Sequence, residues 1–403
     1  MTEIRFIEPG ELADYHDAIG HGFGYDPAED DERAAFEAIN PVETSIAAFE
    51  RGHLVATFGS YDLDLTLPGG ATLPMAGTTH VTVHPTHRRR GILTEMMRLH
   101  LDQAREREQP LAGLWASEER IYGRFGYGPA AYGQELSIPA YTVTGAAPDP
   151  AITVHPLTST EAAKVLPPLY ESHRPQRAGA LIRTDRWWEH RVLFDPKSRR
   201  GDASAERQVM AERNGQPVGY LRFRLRPLDS WGEGQTRVVE LVALDDDVRR
   251  ALWHFASNVD LYRNIRWWNA PLDEPTLLEA DRFRRVERRV MDSLWLRPLD
   301  VAPVLEARSY DRDGTAVLDV TDRLGATGGR FRLEVAAGSG SVESTNDEPD
   351  VELAVGELAR LVLGGTSAVT LGRAGLLAGT TSAAAALDDL LSTRTPPHIP
   401  EVF

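Results

Sequence analysis

Three consecutive arginines and a glycine lie where a strand pattern gives way to a helix pattern. The strand pattern covers Thr78 to Val83, and the apolar residues after Gly91 recur at helical spacing. The first N–H groups of a helix have no partner inside the helix, so they and nearby guanidinium groups can bind an anion. Arg88, Arg89, Arg90 and Gly91 therefore predict a pyrophosphate site. The alternative is a basic turn that only faces solvent.

Two motifs of this region resemble those of the GCN5-related N-acetyltransferases (GNAT). Residues 88–93, Arg-Arg-Arg-Gly-Ile-Leu, resemble the acetyl-CoA pyrophosphate loop, usually written Q/R-x-x-G-x-G/A, with Leu93 in place of the small last residue. Residues 121–127, Ile-Tyr-Gly-Arg-Phe-Gly-Tyr, are similar to the F-Y-x-x-x-G-F segment, whose first tyrosine protonates the departing CoA thiolate. The resemblance implies an enzyme that uses acetyl-CoA as cosubstrate.

The whole run from Val81 to Ala130, together with the chain length and the terminal phenylalanine, resembles the enhanced intracellular survival (Eis) aminoglycoside acetyltransferases of actinobacteria. That resemblance extends over essentially the whole chain. It implies an α/β (α+β) fold in which two tandem GNAT-like mixed-sheet domains precede an α+β domain like the sterol carrier proteins. It also implies a homohexamer.

Acetyl transfer from a thioester to an amine needs an acid for the sulfur and a base for the amine. Tyr122 matches the motif tyrosine, and a phenol donates a hydrogen bond at neutral pH. Tyr127 is the alternative acid. The resemblance implies that the α-carboxylate of Phe403 is the base. Such a carboxylate has a pKa of about 3.5 in water and becomes a stronger base when it is buried.

Histidines near the motifs are weaker candidates for the base. They lie on a helical face or in a turn, where histidines more often have structural roles. These residues are His84, His87 and His100.

Other site residues follow from the resemblance and from the strand pattern. The backbone N–H groups of Val81 and Val83 are expected to bind the pantetheine arm and the acetyl oxygen. Ser117 is expected to contact the cosubstrate further along. Candidates for binding the ammonium groups and ring of an aminoglycoside are Asp26, Phe36 and Glu401.

Composition limits the partners. The chain has 403 residues and a formal net charge of −16, which argues against nucleic acid and favours a cationic small molecule. It has no cysteine, which excludes disulfides and thiolate metal ligands, and no metal is expected. The chain shows no apolar run long enough to cross a membrane and no signal pattern at the N-terminus, so a cytoplasmic protein without membrane contact is predicted.

Chain length predicts two or three domains, and the resemblance to the Eis family implies three. They are a catalytic GNAT domain at 1–150, a degenerate second GNAT-like domain at 151–297 and a sterol-carrier-protein-like domain at 298–403. The strand pattern at 134–138 is expected to close the first sheet. In the second domain, Asp245-Asp246-Asp247 occupies the place of the arginines, so no cofactor is expected there.

Two further functions share some of these features. An enzyme that acetylates lysine side chains of proteins would use the same chemistry with another acceptor. A non-catalytic acyl-CoA or lipid-binding protein could keep the fold, but it would have no need of an acid at Tyr122.

Overall fold

Three mixed sheets and their helices organise the chain in this computed structural model, which describes residues 2–142, 145, 147–228 and 233–403. The contacts divide the chain into two units. The first unit combines 1–131 with 293–403, and the second unit is 132–292. Within the described residues, the helices are too short or too polar to span a bilayer.

The N-terminal part of the first unit contains most of the first sheet. Its strands are β1 (Glu3–Phe6), β2 (Ser45–Glu50), β3 (His53–Thr66), β4 (Thr72–Val83), β5 (Leu111–Trp115) and β6 (Gly128–Pro129). Its helices are α1 (Leu12–Phe23), α2 (Asp30–Ile39), α3 (Ile92–Glu106) and α4 (Glu119–Tyr122).

The second unit forms the second sheet. Its strands are β7 (Tyr132–Pro139), β8 (Ile152–Leu157), β9 (Arg207–Arg213), β10 (Gln216–Arg226), β11 (Gln235–Ala243), β12 (Asn264–Ala270) and β13 (Glu287–Asp292). Its helices are α5 (Ser159–His173), α6 (Asp185–Trp187), α7 (Asp246–Ser257) and α8 (Thr276–Glu279).

The C-terminal part returns to the first unit. Its strands are β14 (Leu294–Pro298), β15 (Gly314–Thr321), β16 (Gly329–Ala336), β17 (Ser339–Ser344), β18 (Val351–Ala354) and β19 (Leu377–Gly379). Its helices are α9 (Val301–Glu306), α10 (Val355–Val362), α11 (Ala368–Arg373) and α12 (Thr381–Leu391).

The strand order shows how the sheets are assembled. The first sheet runs β1-β2-β3-β4-β5-β14-β6, the second β13-β7-β12-β11-β10-β9-β8, and the third β17-β16-β15-β18-β19. The predicted α/β class, with two mixed sheets followed by a C-terminal α+β part, is confirmed.

The prediction that 134–138 closes the first sheet is wrong. This segment lies in β7, which pairs with β12 and β13 in the second sheet. The first sheet receives β14 instead, which inserts between β5 and β6. Residues 134–138 alternate polar and apolar side chains, whereas β14 is buried along its whole length. Either pattern identifies a strand but does not say which sheet the strand joins.

Side-chain periodicity explains the helix that matters most for the site. In α3 one face is buried, and that face carries Met96, Met97, His100, Leu101 and Ala104. The face packs on the first sheet in a core that includes Phe58 and Leu114. The burial holds the N-terminus of α3 beside the end of β4.

Candidate active site

Strands β4 and β5 are parallel neighbours over a short register and then separate. The register joins 75–77 of β4 to 111–113 of β5, and none is found past this point among the described residues. Beyond it β4 continues to Val83, whereas β5 ends at Trp115 and pairs with β14 on its other side over its whole length. The N–H groups on this edge of β4 can therefore bind an extended ligand as a sheet edge binds an added strand. Val81 and Val83 lie in the separated part.

A β-bulge changes the direction of β4 in the part that has separated from β5. The pairing of β3 with β4 shifts between Thr57 and Gly59, and His80 has a positive φ of 53°. Two residues of β4, His80 and Val81, then face one residue of β3. Such bulges bend a strand and turn its polar groups, and they are frequent beside active sites.

The turn after β4 leads directly into the first turn of α3. His84 N–H donates to the Val55 carbonyl at 2.8 Å, which fixes the end of the strand. Gly91 precedes the helix with φ of 84°, and a Cβ atom there would have no neighbour within 4 Å. Glycine is therefore required by the backbone conformation, and the open space above it would accommodate a phosphate group.

The three arginines are exposed, and two of them also hold the turn. Arg88 Nε donates to the Val83 carbonyl at 3.2 Å, and Arg90 Nη2 donates to the Thr86 carbonyl at 3.1 Å. Arg90 Nη1 also lies 3.5 Å from a carboxylate oxygen of Glu50. Arg89 lies between them with a positive φ of 63°. The turn therefore presents fixed positive charge beside a helix N-terminus.

Tyr122 ends the short helix α4 and is buried, with 5% of its surface exposed. Burial raises the pKa of the Tyr122 phenol, while a hydrogen bond with Ser117 acts in the opposite direction. The structure therefore brings Ser117 and Tyr122 together just beyond the end of β5. The phenol is therefore protonated at neutral pH, as an unperturbed tyrosine also is.

Tyr127 occupies a different environment, although its ring lies only 6.2 Å from that of Tyr122. Its hydroxyl is 3.1 Å from Thr78 Oγ1, which in turn is 2.9 Å from His100 Nε2. Burial raises the pKa of Tyr127 to about 12 and lowers the pKa of His100 to about 3. These three side chains form a fully buried network whose hydrogen bonds are made within the protein.

The last residues of the chain lie over the point where β4 and β5 separate. Trp115 Nε1, on β5, donates to the Glu401 carbonyl at 3.0 Å. The Phe403 ring is buried against Gly77 on β4, where a Cβ atom would approach the ring to 3.2 Å. Ile399 is fully buried and anchors the extended tail. The structure thus places Phe403 beside β4, the strand that contains Val81. It places Glu401 beside β5, the strand that Tyr122 follows.

An aromatic and histidine cluster borders the same face of the sheet. The Phe36 ring stacks on His16 at 4.0 Å and lies 5.3 Å from the His80 ring. His80 Nε2 lies 3.4 Å from the Tyr61 hydroxyl, and Tyr61 pairs with Gly77 across the strands. Sequence reasoning missed His80 and Tyr61. The histidine inside a strand next to the arginine turn was the available signal.

Asp26 is exposed in the loop between α1 and α2, next to the stacked rings of Phe23 and Tyr25. Its acidic neighbours stabilise the N-terminus of the helix that follows. Asp30, Asp31 and Glu32 lie in the first turn of α2, where negative charge is favourable, and the Glu29 N–H donates to Glu32 at 3.0 Å. The structure brings Phe36 to His80, but it does not show Asp26 in contact with that cluster.

The turn before α7 in the second unit differs in chemistry from the arginine turn. The Asp245 carboxylate caps α7 by accepting the Val248 N–H at 3.0 Å, and it pairs with Arg213 at 2.7 Å. Asp246 and Asp247 add negative charge at the same helix end. A pyrophosphate would meet carboxylates there, and the absence of a cofactor from the second domain stays a prediction.

Comparisons with known proteins agree with this arrangement. Two models of an acetyltransferase (GNAT) domain match residues 3–130 and 179–298, and a sterol carrier protein domain model matches 301–400. An uncharacterized N-acetyltransferase of Streptomyces avermitilis is 36% identical over 100% of this chain and 98% of its own length. N-acetyltransferase Eis of Mycobacterium tuberculosis is 35% identical over 78% of this chain and 77% of its own length. The chain belongs to the Eis family of N-acetyltransferases.

The solved structure of Eis1 from Mycobacterium abscessus supports the same membership over the whole length. It superposes with a TM-score of 0.87 at 30% identity, and 100% of each chain is covered. As a member of the Eis family with GNAT domains, the chain is an N-acetyltransferase, and the donor that such domains imply is acetyl-CoA.

Proposed function

We propose that the chain transfers acetyl groups from acetyl-CoA to amines of aminoglycosides or related polyamines, at one or several positions of the acceptor. One observation carries this proposal. The strands β4 and β5 separate beside Gly77, the Phe403 ring lies on that glycine, and the buried Tyr122 follows β5. These positions support an arrangement in which the Tyr122 phenol and the Phe403 carboxylate flank the thioester.

The donor is held by groups around this opening. Arg88, Arg89, Arg90 and Gly91 bind the pyrophosphate, since they combine positive charge with the free N–H groups of the first turn of α3. The N–H groups of Val81 and Val83 bind the pantetheine arm and the acetyl oxygen, where negative charge develops. Ser117 contacts the cosubstrate near Tyr122. These assignments rest on the family motif and on the positions described above.

The chemistry needs two proton transfers. The amine nitrogen attacks the thioester carbonyl carbon, so the C–N bond forms and the C–S bond breaks. The Phe403 carboxylate accepts the proton of the attacking amine, and the Tyr122 hydroxyl donates a proton to the sulfur that leaves.

The acceptor is a polycation because the protein is acidic and the side chains proposed to bind the acceptor are acidic or aromatic. The net charge of −16 attracts cationic ligands from solution. Asp26 and Glu401 supply carboxylates for ammonium groups, and Phe36 supplies a ring surface for the sugar. A homohexamer in the cytoplasm stays a prediction from the family resemblance and the sequence.

The test is release of CoA thiol from acetyl-CoA with kanamycin, spermidine or a lysine-containing peptide as acceptor, followed by mass determination of each product. We expect thiol release with kanamycin and one or more added acetyl groups. Release with the peptide alone would replace the proposal by a protein acetyltransferase. Binding of acetyl-CoA without release for any amine would leave the non-catalytic function.

A further inference from the structure

A buried arginine on β14 bonds the backbone of the segment that carries Tyr122. Arg297 is fully buried, and its Nη1 donates to the Phe125 carbonyl at 2.6 Å. That carbonyl belongs to the turn that begins directly after Tyr122 and spans Gly123–Phe125. The turn closes on itself, since the Gly126 N–H donates to the Gly123 carbonyl at 3.1 Å.

The fit of the guanidinium against this turn is close. Gly126 has φ of 81°, and a Cβ atom there would lie 1.8 Å from Arg297 Nη1 and 2.7 Å from Val355 Cγ1. No side chain could be accommodated without moving the guanidinium. The turn is thus shaped to receive the arginine, and a residue of α10 packs against the same glycine.

The other side of the guanidinium is held by the sterol-carrier-like part of the first unit. Arg297 Nη2 donates to Asp322 Oδ2 at 2.9 Å, and the Asp322 side chain is 1% exposed. Asp322 also accepts the N–H groups of Leu324, Ala326 and Thr327, each at 3.1 Å. Burial alone would raise the pKa of Asp322, but the hydrogen bond and charge of Arg297 lower it. The carboxylate is therefore ionised and fixed in its own loop.

We propose that Arg297, held by Asp322, is a positioning residue for the acid: it fixes the turn 123–126 and thereby sets where the Tyr122 hydroxyl lies. This inference rests on the proposed role of Tyr122. The C-terminal domain would then contribute to catalysis in two ways. It supplies Phe403, and its loop at Asp322 holds Arg297 and so positions the turn after Tyr122. A buried carbonyl that accepts from a charged donor cannot move without losing a strong hydrogen bond.

The test compares single and double variants. Arg297→Lys keeps the positive charge but cannot reach both acceptors with a rigid fork, so the turn gains freedom. We expect its kcat to fall by about tenfold, since a misplaced catalytic group costs one to two orders of magnitude, with the KM for acetyl-CoA within about twofold of the parent. Tyr122→Phe should lose about a hundredfold in kcat, as general-acid loss does.

The double variant Arg297→Lys with Tyr122→Phe shows whether Arg297 acts through Tyr122 or independently of it. If Arg297 acts through Tyr122, the double variant has the same kcat as Tyr122→Phe alone. A further loss of about tenfold in the double variant would show independent effects and overturn the inference. Full kcat in Tyr122→Phe itself would instead remove the acid assignment on which the inference rests.

A matched control separates positioning from general loss of stability. Arg308 is also buried in the first unit, where it donates to the carbonyls of Val362 and Leu391 and not to the turn after Tyr122. Arg308→Lys should keep kcat near that of the parent. An equal loss in Arg308→Lys would overturn the inference. Asp322→Asn, which retains an oxygen for the backbone donors, replaces Arg297→Lys if the latter does not fold, and unchanged kcat in it would also overturn the inference.

Discussion

Two tyrosines five positions apart have different chemistry because their surroundings differ. The Tyr122 hydroxyl has Ser117 as its partner, next to an exposed stretch, whereas Tyr127 is bonded to Thr78 inside the core. Burial raises the pKa of both, and that of Tyr127 reaches about 12. At this scale the identity of the acid depends on which phenol lies at the opening between β4 and β5.

Replacing each tyrosine by phenylalanine should separate the two roles. Tyr122→Phe removes the proposed acid, so kcat should fall by about a hundredfold while acetyl-CoA binding is kept. Tyr127→Phe removes one hydrogen bond of a buried network and should lower the free energy of unfolding by about 1 kcal/mol with little change in kcat. Steady-state kinetics and denaturant unfolding of both variants measure these effects. A larger kcat loss in Tyr127→Phe would exchange the two assignments.

At the scale of elements, the end of β4 and the start of α3 are coupled through the core. His100 lies on the buried face of α3 and reaches Thr78 on β4, so one hydrogen bond joins the helix to the strand that would bind the acetyl group. The bulge at His80 and the positive φ of Gly91 lie at the two ends of the segment that joins this strand to α3.

The buried imidazole makes stability depend on pH. Burial lowers the pKa of His100 to about 3, below the value of about 6.5 in an unfolded chain. Between these values the unfolded chain binds a proton at this site that the folded chain does not. The free energy of unfolding should therefore fall as pH falls below about 6.5, by at most about 1.4 kcal/mol per pH unit. Above that pH the contribution is fully present.

His100→Gln tests this dependence. The variant lacks the titrating ring, so its unfolding free energy should change less between about pH 7 and about pH 5 than that of the parent. Urea unfolding at the two pH values measures the difference. His53, exposed on β3, offers a control in which a surface histidine is removed by the same substitution. An unchanged pH dependence in His100→Gln would contradict the expectation.

At the scale of the whole chain, residues that are far apart in sequence meet at one opening. The tail residue Phe403 contacts Gly77, and Glu401 accepts a hydrogen bond from Trp115. The third sheet and its helices thus position the end of the chain beside the first sheet, within one unit. The acetyltransferase fold and the C-terminal domain are parts of a single candidate site.

Extending the chain by two residues after Phe403 tests the role of this end. The carboxylate would become a peptide group and the buried ring would be displaced, so kcat should fall by at least about a hundredfold while acetyl-CoA still binds. The same two residues added at the N-terminus are the control. Phe403→Leu keeps the carboxylate and should retain more activity than the extended chain. Full kcat in the extended chain would remove Phe403 from the mechanism.

Local pattern determined most of the elements and the motif residues. The helix after Gly91 is predicted because the spacing of apolar residues acts over a few positions. The dipeptide Asn214-Gly215 is likewise a local hairpin signal, and both residues have positive φ in the turn that joins β9 to β10. The arginines and Tyr122 can be identified from the sequence for the same reason, because each belongs to a short motif.

The sequence by itself therefore determined the fold class, the family and the residues of the two motifs. Only the tertiary structure decided that β14, and not 134–138, enters the first sheet. It also decided that the Tyr127 hydroxyl bonds Thr78, and that Arg297 and His80 adjoin the site. Each of these depends on contacts between segments that are distant along the chain. Periodicity reports which side of an element is buried but carries no information on its partner.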